Sequence, residues 1–330
     1  MKVAVAGLGW WGKQIISCLD KSPRFEVLYG IDPKPPADIE EFRKSHKFSL
    51  DTTLDKALAD PAIEGVVLAT PHALHEEQAL RVIAAGKNLF CEKPLTMTGA
   101  GAKRVVEASR KAGKVLGVGH ERRFEPAFEE LRKVVDAGTL GKLLFFDCQV
   151  SHDNFRKLAK DNWRLNPASA PAAMMTAVGI HHTDLFINIA GPPAEVRARS
   201  TSMIFDPPAE DFVSFDIVFK SGVRATFSAL SITPFYGRFA LFGDKGWVTI
   251  DSIANVDQGK PTILTHGDHN GRRTVSYEFT NTVTENFEAW ADAVEGRGKY
   301  RFTDEELIEN IRLFEAIVTS SRNDGATQVL

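Results

Sequence analysis

The chain has 330 residues, 43% hydrophobic and 25% charged, and a formal net charge of −3. This is the composition of an ordinary globular protein of about two domains, and it gives no electrostatic case for a nucleic-acid or anionic-membrane partner. No apolar run approaches the roughly eighteen to twenty residues of a membrane span, and Cys18, Cys91 and Cys148 are too scattered for a disulfide framework or a zinc site, so a reducing, cytoplasmic setting is expected.

Lys2-Val3-Ala4-Val5-Ala6 is a short apolar run fit for a buried parallel strand, and it enters Gly7-Leu8-Gly9-Trp10-Trp11-Gly12 directly. An amphipathic helix follows, with Ile15, Ile16 and Leu19 on one face, and a second apolar run, Val27 to Ile31, ends at Asp32. A G-x-G-x-x-G turn carries weight only between a strand and a helix, and that is its place here. The first glycine permits the tight turn, the second lets backbone approach a pyrophosphate, and the third lets helix and strand pack closely. The helix N-terminus offers N–H groups to the phosphates. The expected cofactor is NAD rather than NADP, since Asp32 can accept from a ribose diol but would repel a 2′-phosphate. Gly7, Gly9, Trp10, Trp11, Gly12 and Asp32 are the first cofactor-binding candidates.

Pro33 to Pro36 marks a loop. A strand is predicted at 66–70, then a helix at 72–85 stopped by Gly86, then a strand at 88–91 that ends at Glu92-Lys93-Pro94. Thr98 can cap a helix that Gly113 ends, and a further strand covers 115–119. Such alternation argues for a parallel sheet covered on both faces. After about residue 122 the pattern changes. A helix at 126–137 and a strand at 143–150 precede an irregular polar stretch, 151–175, and a helix at 180–190. Strand patterns at 195–204, 212–219, 223–232, 237–242 and 247–250 then predict a large, mostly antiparallel open sheet, and helices at 284–294 and 304–321 close the chain. The fold class is α/β, divided into a dinucleotide-binding domain, 1–121, and a substrate-binding and oligomerisation domain, 122–330.

Ligands of open α/β sheets bind beyond the carboxyl ends of the strands. Thr70, Pro71, His72 and His75 stand there as candidates for the ribose and nicotinamide side, as does Glu92. Lys93 is the sharper candidate. A lysine at a strand end, followed by proline and preceded by a carboxylate, has a fixed direction, and beside a positively charged nicotinamide its ammonium is disfavoured. In Gly179-Ile180-His181-His182-Thr183-Asp184, His181 and Asp184 share a helix face, and a histidine is the default acid–base group. A metal is not expected, because no single segment supplies a ligand set. Substrate candidates are Arg123, His152, Asn154, Arg156, Trp163, Arg164 and His182. The polar ones can pair hydroxyl groups, and the arginines suit a carboxylate unless they form only structural ion pairs. The expected substrate is a small cyclic polyol or sugar derivative, a carboxylated one favoured over a neutral one.

The same residues carry a resemblance. Gly7-x-Gly9-x-x-Gly12, Thr70-Pro71-His72-x-x-His75, Glu92-Lys93-Pro94, Gly119-His120-Glu121-Arg122-Arg123-Phe124, Trp163-Arg164 and Gly179-x-His181-x-x-Asp184 occur in the order seen in the glucose-fructose oxidoreductase / inositol dehydrogenase / rhizopine-catabolism (Gfo/Idh/MocA) family. The resemblance spans essentially the whole chain, and Glu-Lys-Pro is its most specific part. It implies an N-terminal Rossmann domain, an open-sheet second domain, and NAD- or NADP-linked chemistry on sugars, cyclitols and related polyols. It implies that Lys93 contacts both cofactor and reacting hydroxyl and that His181 is the acid–base residue. It also implies a homodimer or homotetramer associating through the open sheet. Two positions depart from the family pattern. Many members carry an aspartate where this chain has Ala177, and an asparagine is frequent where it has Glu121. Two rival readings follow: an enzyme that oxidises a sugar transiently to cleave a glycosidic group, and an inactive dinucleotide-binding sensor. NADH release separates the first from a plain dehydrogenase, and binding without turnover identifies the second.

Overall fold

The structure, a computed structural model, describes residues 1–254 and 258–330. It divides into two compact units, Met1–Glu121 with Val283–Ile308, and Arg122–Thr282 with Glu309–Leu330.

The first unit is built on six parallel strands, β1 (Lys2–Ala6), β2 (Glu26–Ile31), β3 (Ser49–Asp51), β4 (Gly65–Leu68), β5 (Asn88–Cys91) and β6 (Leu116–Val118), in the order β3-β2-β1-β4-β5-β6. This is the doubly wound order, and its direction reverses between β1 and β4, where such sheets open a crevice for a ligand. Val3, Ala4 and Val5 of β1 and Val66, Val67 and Leu68 of β4 are wholly buried, as central strands covered on both faces must be. Helices α1 (Trp10–Leu19), α2 (Ile39–His46), α3 (Asp55–Ala59), α4 (His75–Ala84) and α5 (Gly99–Ala112) connect the strands. The sequence placed the start of α4 at His72, but His72–Leu74 form a separate 3₁₀ turn. Thr98 caps α5 as its spacing predicts, its hydroxyl accepting from Gly101 N at 3.1 Å. The domain division at residue 121 leaves out a returning segment that packs in this unit. Helix α8 (Thr282–Val294) inserts Phe287 and Trp290 into the core beside Val3, Ile15 and Phe90, with Phe287 stacked on Phe90 at 4.0 Å.

Among the described residues the second unit carries nine strands, β7 (Leu143–Ser151), β8 (Pro193–Thr201), β9 (Phe212–Phe219), β10 (Arg224–Leu230), β11 (Tyr236–Gly243), β12 (Gly246–Ser252), β13 (Thr262–Asp268), β14 (Gly271–Tyr277) and β15 (Gln328–Val329). Their order is β14-β13-β12-β11-β7-β10-β9-β8-β15, and every pairing is antiparallel except β7 with β10. Period-two alternation sends Phe146, Cys148, Val213, Phe215, Ile217, Phe227 and Phe239 to one buried face. Helices α6 (Pro126–Asp136) and α7 (Gly179–Ala190) pack on that face, with Phe186 4.8 Å from Phe146 and Phe128 5.2 Å from Phe239. Helix α9 (Asp304–Arg322) precedes β15. Among the described residues no helix is long and apolar enough to cross a membrane.

Candidate active site

The glycine turn joins β1 to α1. Gly7 has φ of +90°, a conformation that L side chains rarely adopt, and a Cβ there would collide with the carbonyl of Ala69 at the end of β4. A Cβ on Gly12 would collide with the carbonyl oxygen of Gly7, so only glycine lets α1 start this close to the turn. Beside Gly9 nothing lies within 4 Å of where a Cβ would stand. The α1 N-terminus therefore faces open space with its N–H groups free of side-chain caps, which suits a pyrophosphate. Asp32, at the end of β2, closes the turn. One carboxylate oxygen accepts from Leu8 N at 2.9 Å and the other from Lys34 N at 2.8 Å. Trp10 is 59% exposed, and its ring lies 5.4 Å from that of half-buried Trp11. These features fit NAD.

At the end of β4, the Thr70 hydroxyl donates to Gln78 Oε1 at 2.6 Å, an acceptor that sequence reasoning did not single out. Pro71 leads into the 3₁₀ turn that holds His72. His75 is fully buried, with Nδ1 2.7 Å from Pro94 O and Nε2 2.9 Å from Thr70 O. Burial lowers its pKa against the pull of those two carbonyls. The neutral ring can donate to only one carbonyl at a time. Both nitrogens face main chain, so His75 bolts the β4 end to the Glu92-Lys93-Pro94 segment rather than offering an atom to a ligand. Lys93 itself is half-buried and joined to Pro94 by a cis peptide bond. Glu92 is 6% exposed, and burial together with neighbouring Glu121 pushes its pKa up to about 7.

In the second unit, α7 begins with two buried histidines. His181 is 4% exposed, and its main-chain N–H donates to Val178 O at 3.1 Å. His182 donates from Nδ1 to the same carbonyl at 3.2 Å, with its ring 5.0 Å from that of Phe227. Burial, and then the charge of Arg122, bring its pKa down to about 3, so His182 stays neutral. Asp184 turns away from proton transfer as well. It takes the Arg123 guanidinium bidentately, at 2.7 Å and 2.6 Å, in a pair whose side chains are 4% and 2% exposed. Arg123, a candidate for the substrate, is thus spent on a structural ion pair.

The irregular stretch places the remaining candidates apart from one another in role. His152 is buried and its Nδ1 accepts from Asn154 N at 3.3 Å, which leaves the proton on Nε2. Asn154 is exposed, and Arg156 donates from Nη2 to Ile232 O at 2.6 Å. Arg164 lies over the Trp163 ring at 4.4 Å, and burial lowers its pKa. Among the described residues no carboxylate forms an ion pair with it. Sequence reasoning passed over Arg122. Its Nη1 donates to Glu125 at 2.9 Å, while its buried Nε has no hydrogen-bond partner among the described residues. It lines a narrow, partly open cleft with Phe128, His182, Phe235, Ile250 and Ser252. The only available signal was the Arg122-Arg123 doublet after a strand end. Among the described residues no group of three or more His, Cys, Asp or Glu is arranged to hold a metal ion.

Comparison with known proteins agrees with this geometry. The model for the NAD-binding Rossmann domain of the GFO_IDH_MocA oxidoreductases matches residues 1–120, and a C-terminal domain model of the same group matches residues 128–249. A 1,5-anhydro-D-fructose reductase of Ensifer adhaerens is 29% identical over 282 residues, 84% of this chain and 83% of its own. A 4-carboxy-2-hydroxymuconate-6-semialdehyde dehydrogenase of Sphingobium is 30% identical over 198 residues, 60% of this chain and 62% of its own. The solved structure of a levoglucosan dehydrogenase with NADH and levoglucosan covers 100% of this chain and 99% of its own at a TM-score of 0.85 and 21% identity, a likeness of fold.

Proposed function

The chain belongs to the GFO_IDH_MocA family of oxidoreductases, with its NAD-binding Rossmann domain at the N-terminus, and from that premise we propose that it oxidises, or in reverse reduces, a hydroxyl-bearing carbon of a cyclic polyol or sugar derivative. The observation that carries this reading is the Gly7–Gly12 turn closed by Asp32, next to a strand-end Lys93 held by the His75 bolt. Bound NAD supplies the hydride acceptor. Lys93 orients the reacting hydroxyl, and His181 takes its proton as the C–H bond gives up its hydride. Asp32 selects NAD over NADP, because its carboxylate accepts from a free ribose diol and repels a 2′-phosphate. Comparing kcat/KM for the two cofactors tests this; an NADP advantage removes Asp32 from the role.

The substrate carries a carboxylate. Arg164 is half-buried and paired with no carboxylate among the described residues, and a desolvated guanidinium is best satisfied by a bidentate anion. The Sphingobium relative is also named for a carboxylated substrate. Arg122 Nε, His152 and Asn154 are proposed for the hydroxyl groups. The protein works in the cytoplasm as a homo-oligomer. The test is NADH absorbance over matched pairs: glucose against glucuronate and gluconate, and myo-inositol against ring diols bearing a carboxylate. NADH accumulating faster on the acids, with KM raised in Arg164→Ala, is the expected result. Consistently better neutral partners reject the carboxylate, and cofactor binding without turnover on any polyol rejects the enzyme reading.

A further inference from the structure

Two acids the reaction above does not use lie together at the carboxyl end of the first sheet. Cys91 of β5 pairs in register with Val118 of β6, and Gly119 N donates to Cys91 O at 3.0 Å, so Glu92 and Gly119 continue side by side from adjacent strands. A Cβ on Gly119 would stand 2.5 Å from both carboxylate oxygens of Glu92, so the Glu92 side chain lies across the glycine. Two residues on, Glu121 opens the 3₁₀ turn Glu121–Phe124. Each of the two glutamates is only 6% exposed. Two carboxylates buried on neighbouring strand ends cannot both keep their charge cheaply, and their titrations are coupled.

We propose that Glu92 and Glu121 form a carboxyl pair that stores one proton behind Lys93, with Glu121 as the positioning residue that sets the charge on Glu92 and thereby the proton on Lys93. The groups around the pair agree. Burial first and the Glu121 charge second raise Glu92, while the charge of Lys93 and the Lys93 main-chain N–H, 3.3 Å from Glu92 Oε2, pull the other way. His120 lies between Gly119 and Glu121 in sequence, with its ring 6.1 Å from Phe302. In the oxidation direction the Lys93 ammonium passes a proton to an ionised carboxylate of the pair and, as an amine, accepts a hydrogen bond from the reacting hydroxyl, whose own proton goes to His181 as proposed above. The pair then returns its proton to Lys93. The inference rests on the proposed role of Lys93, but its test needs neither substrate nor NAD.

Infrared difference spectra of the NAD-free protein, titrated with acid, report protonated carboxyl groups directly. Wild type is expected to carry one carboxyl that titrates near pH 7. Glu92→Gln abolishes that band, Glu121→Asp keeps it, and Glu121→Gln moves it down by about one unit or more. A band unmoved by Glu121→Gln overturns the pair. The second measurement is the rate of Lys93 acylation by an amine-selective acetyl ester at pH 8, read by mass spectrometry on the same proteins. Glu121→Gln should label several-fold faster than wild type, because at pH 8 the pair then carries one negative charge where wild type carries nearly two, and the smaller charge holds the ammonium less strongly; Glu121→Asp should match wild type. Equal rates in all three overturn the link to Lys93. Failure of every polyol to reduce NAD would sink the enzymatic reading and leave both of these measurements standing.

Discussion

Of the two adjacent buried histidines at the start of α7, His182 is held neutral by its surroundings. His182, wholly enclosed and facing the charge of Arg122, has a pKa of about 3, so no working pH protonates it. On the proposed function proton transfer falls to His181, and His181→Ala and Lys93→Ala should each lower kcat by about 10²–10⁴-fold while NAD still binds. Quenching of Trp10 and Trp11 fluorescence checks the binding. A near-wild-type kcat in His181→Ala would remove it from the mechanism, with no refuge at His182. The same burial has a stability consequence. The unfolded chain protonates His182 near 6.5 and the folded chain near 3, so between those values acid destabilises the fold by up to about 1.4 kcal/mol per pH unit from this group. Glu92 works in the opposite sense, since the fold keeps a proton between about 4.5 and 7 that the unfolded chain has lost. The urea midpoint at pH 4, taken relative to that at pH 6.5, should be higher in His182→Gln than in wild type, because the acid penalty of His182 is gone. Local chemistry was legible in the sequence at Asp32, because the motif fixes its place relative to the glycines. Arg123 was not, because its partner Asp184 lies 61 residues away and a chain read in order cannot see it.

Elements that alternate cleanly between strand and helix announced themselves, and those that depend on a distant surface did not. Phe212–Phe219 reads as a strand from its period-two pattern and is one, residue for residue. β13 and β14 escaped because their runs, Thr262–Asp268 and Gly271–Tyr277, are polar on the exposed side and sparse in apolar residues on the other. Their pairing comes from the tight Asp268-to-Gly271 connection and from the neighbouring edge of β12. Helix α8 was predicted as a helix, but nothing local told that it serves the first unit. Gly65 of β4, having no side chain, leaves the space that the Trp290 indole fills. Trp290→Ala should therefore cost about 3–5 kcal/mol and lower the NAD-binding capacity along with the melting temperature. A loss below about 1 kcal/mol by urea denaturation would mean that α8 is dispensable to that core.

On the scale of the whole molecule, the second sheet has a buried face and a partly exposed one. Helices α6 and α7 cover the side of Phe146, Phe227 and Phe239. The opposite side carries Phe145, Phe242 and Trp247, which stand opposite one another across β7, β11 and β12 by register. Phe145 and Phe242 lie 6.3 Å apart, and all three rings are half-buried, leaning on their neighbours with one side still open. Around them the face is mixed, with Asp147, Gln149, Thr226 and Arg238 able to pair polar groups. An aromatic centre rimmed by polar groups is the anatomy of an interface. A second copy of the chain meeting this face would bury the stripe against its own equivalent, since a twofold contact brings the same patch from both sides. Light scattering at micromolar concentration should therefore give at least a dimer, and Phe242→Arg or Trp247→Arg should give a monomer, because a charge buried in such a contact has no partner. Circular dichroism separates dissociation from misfolding. A monomeric wild type, or arginine variants that stay associated, would remove this face from the assembly.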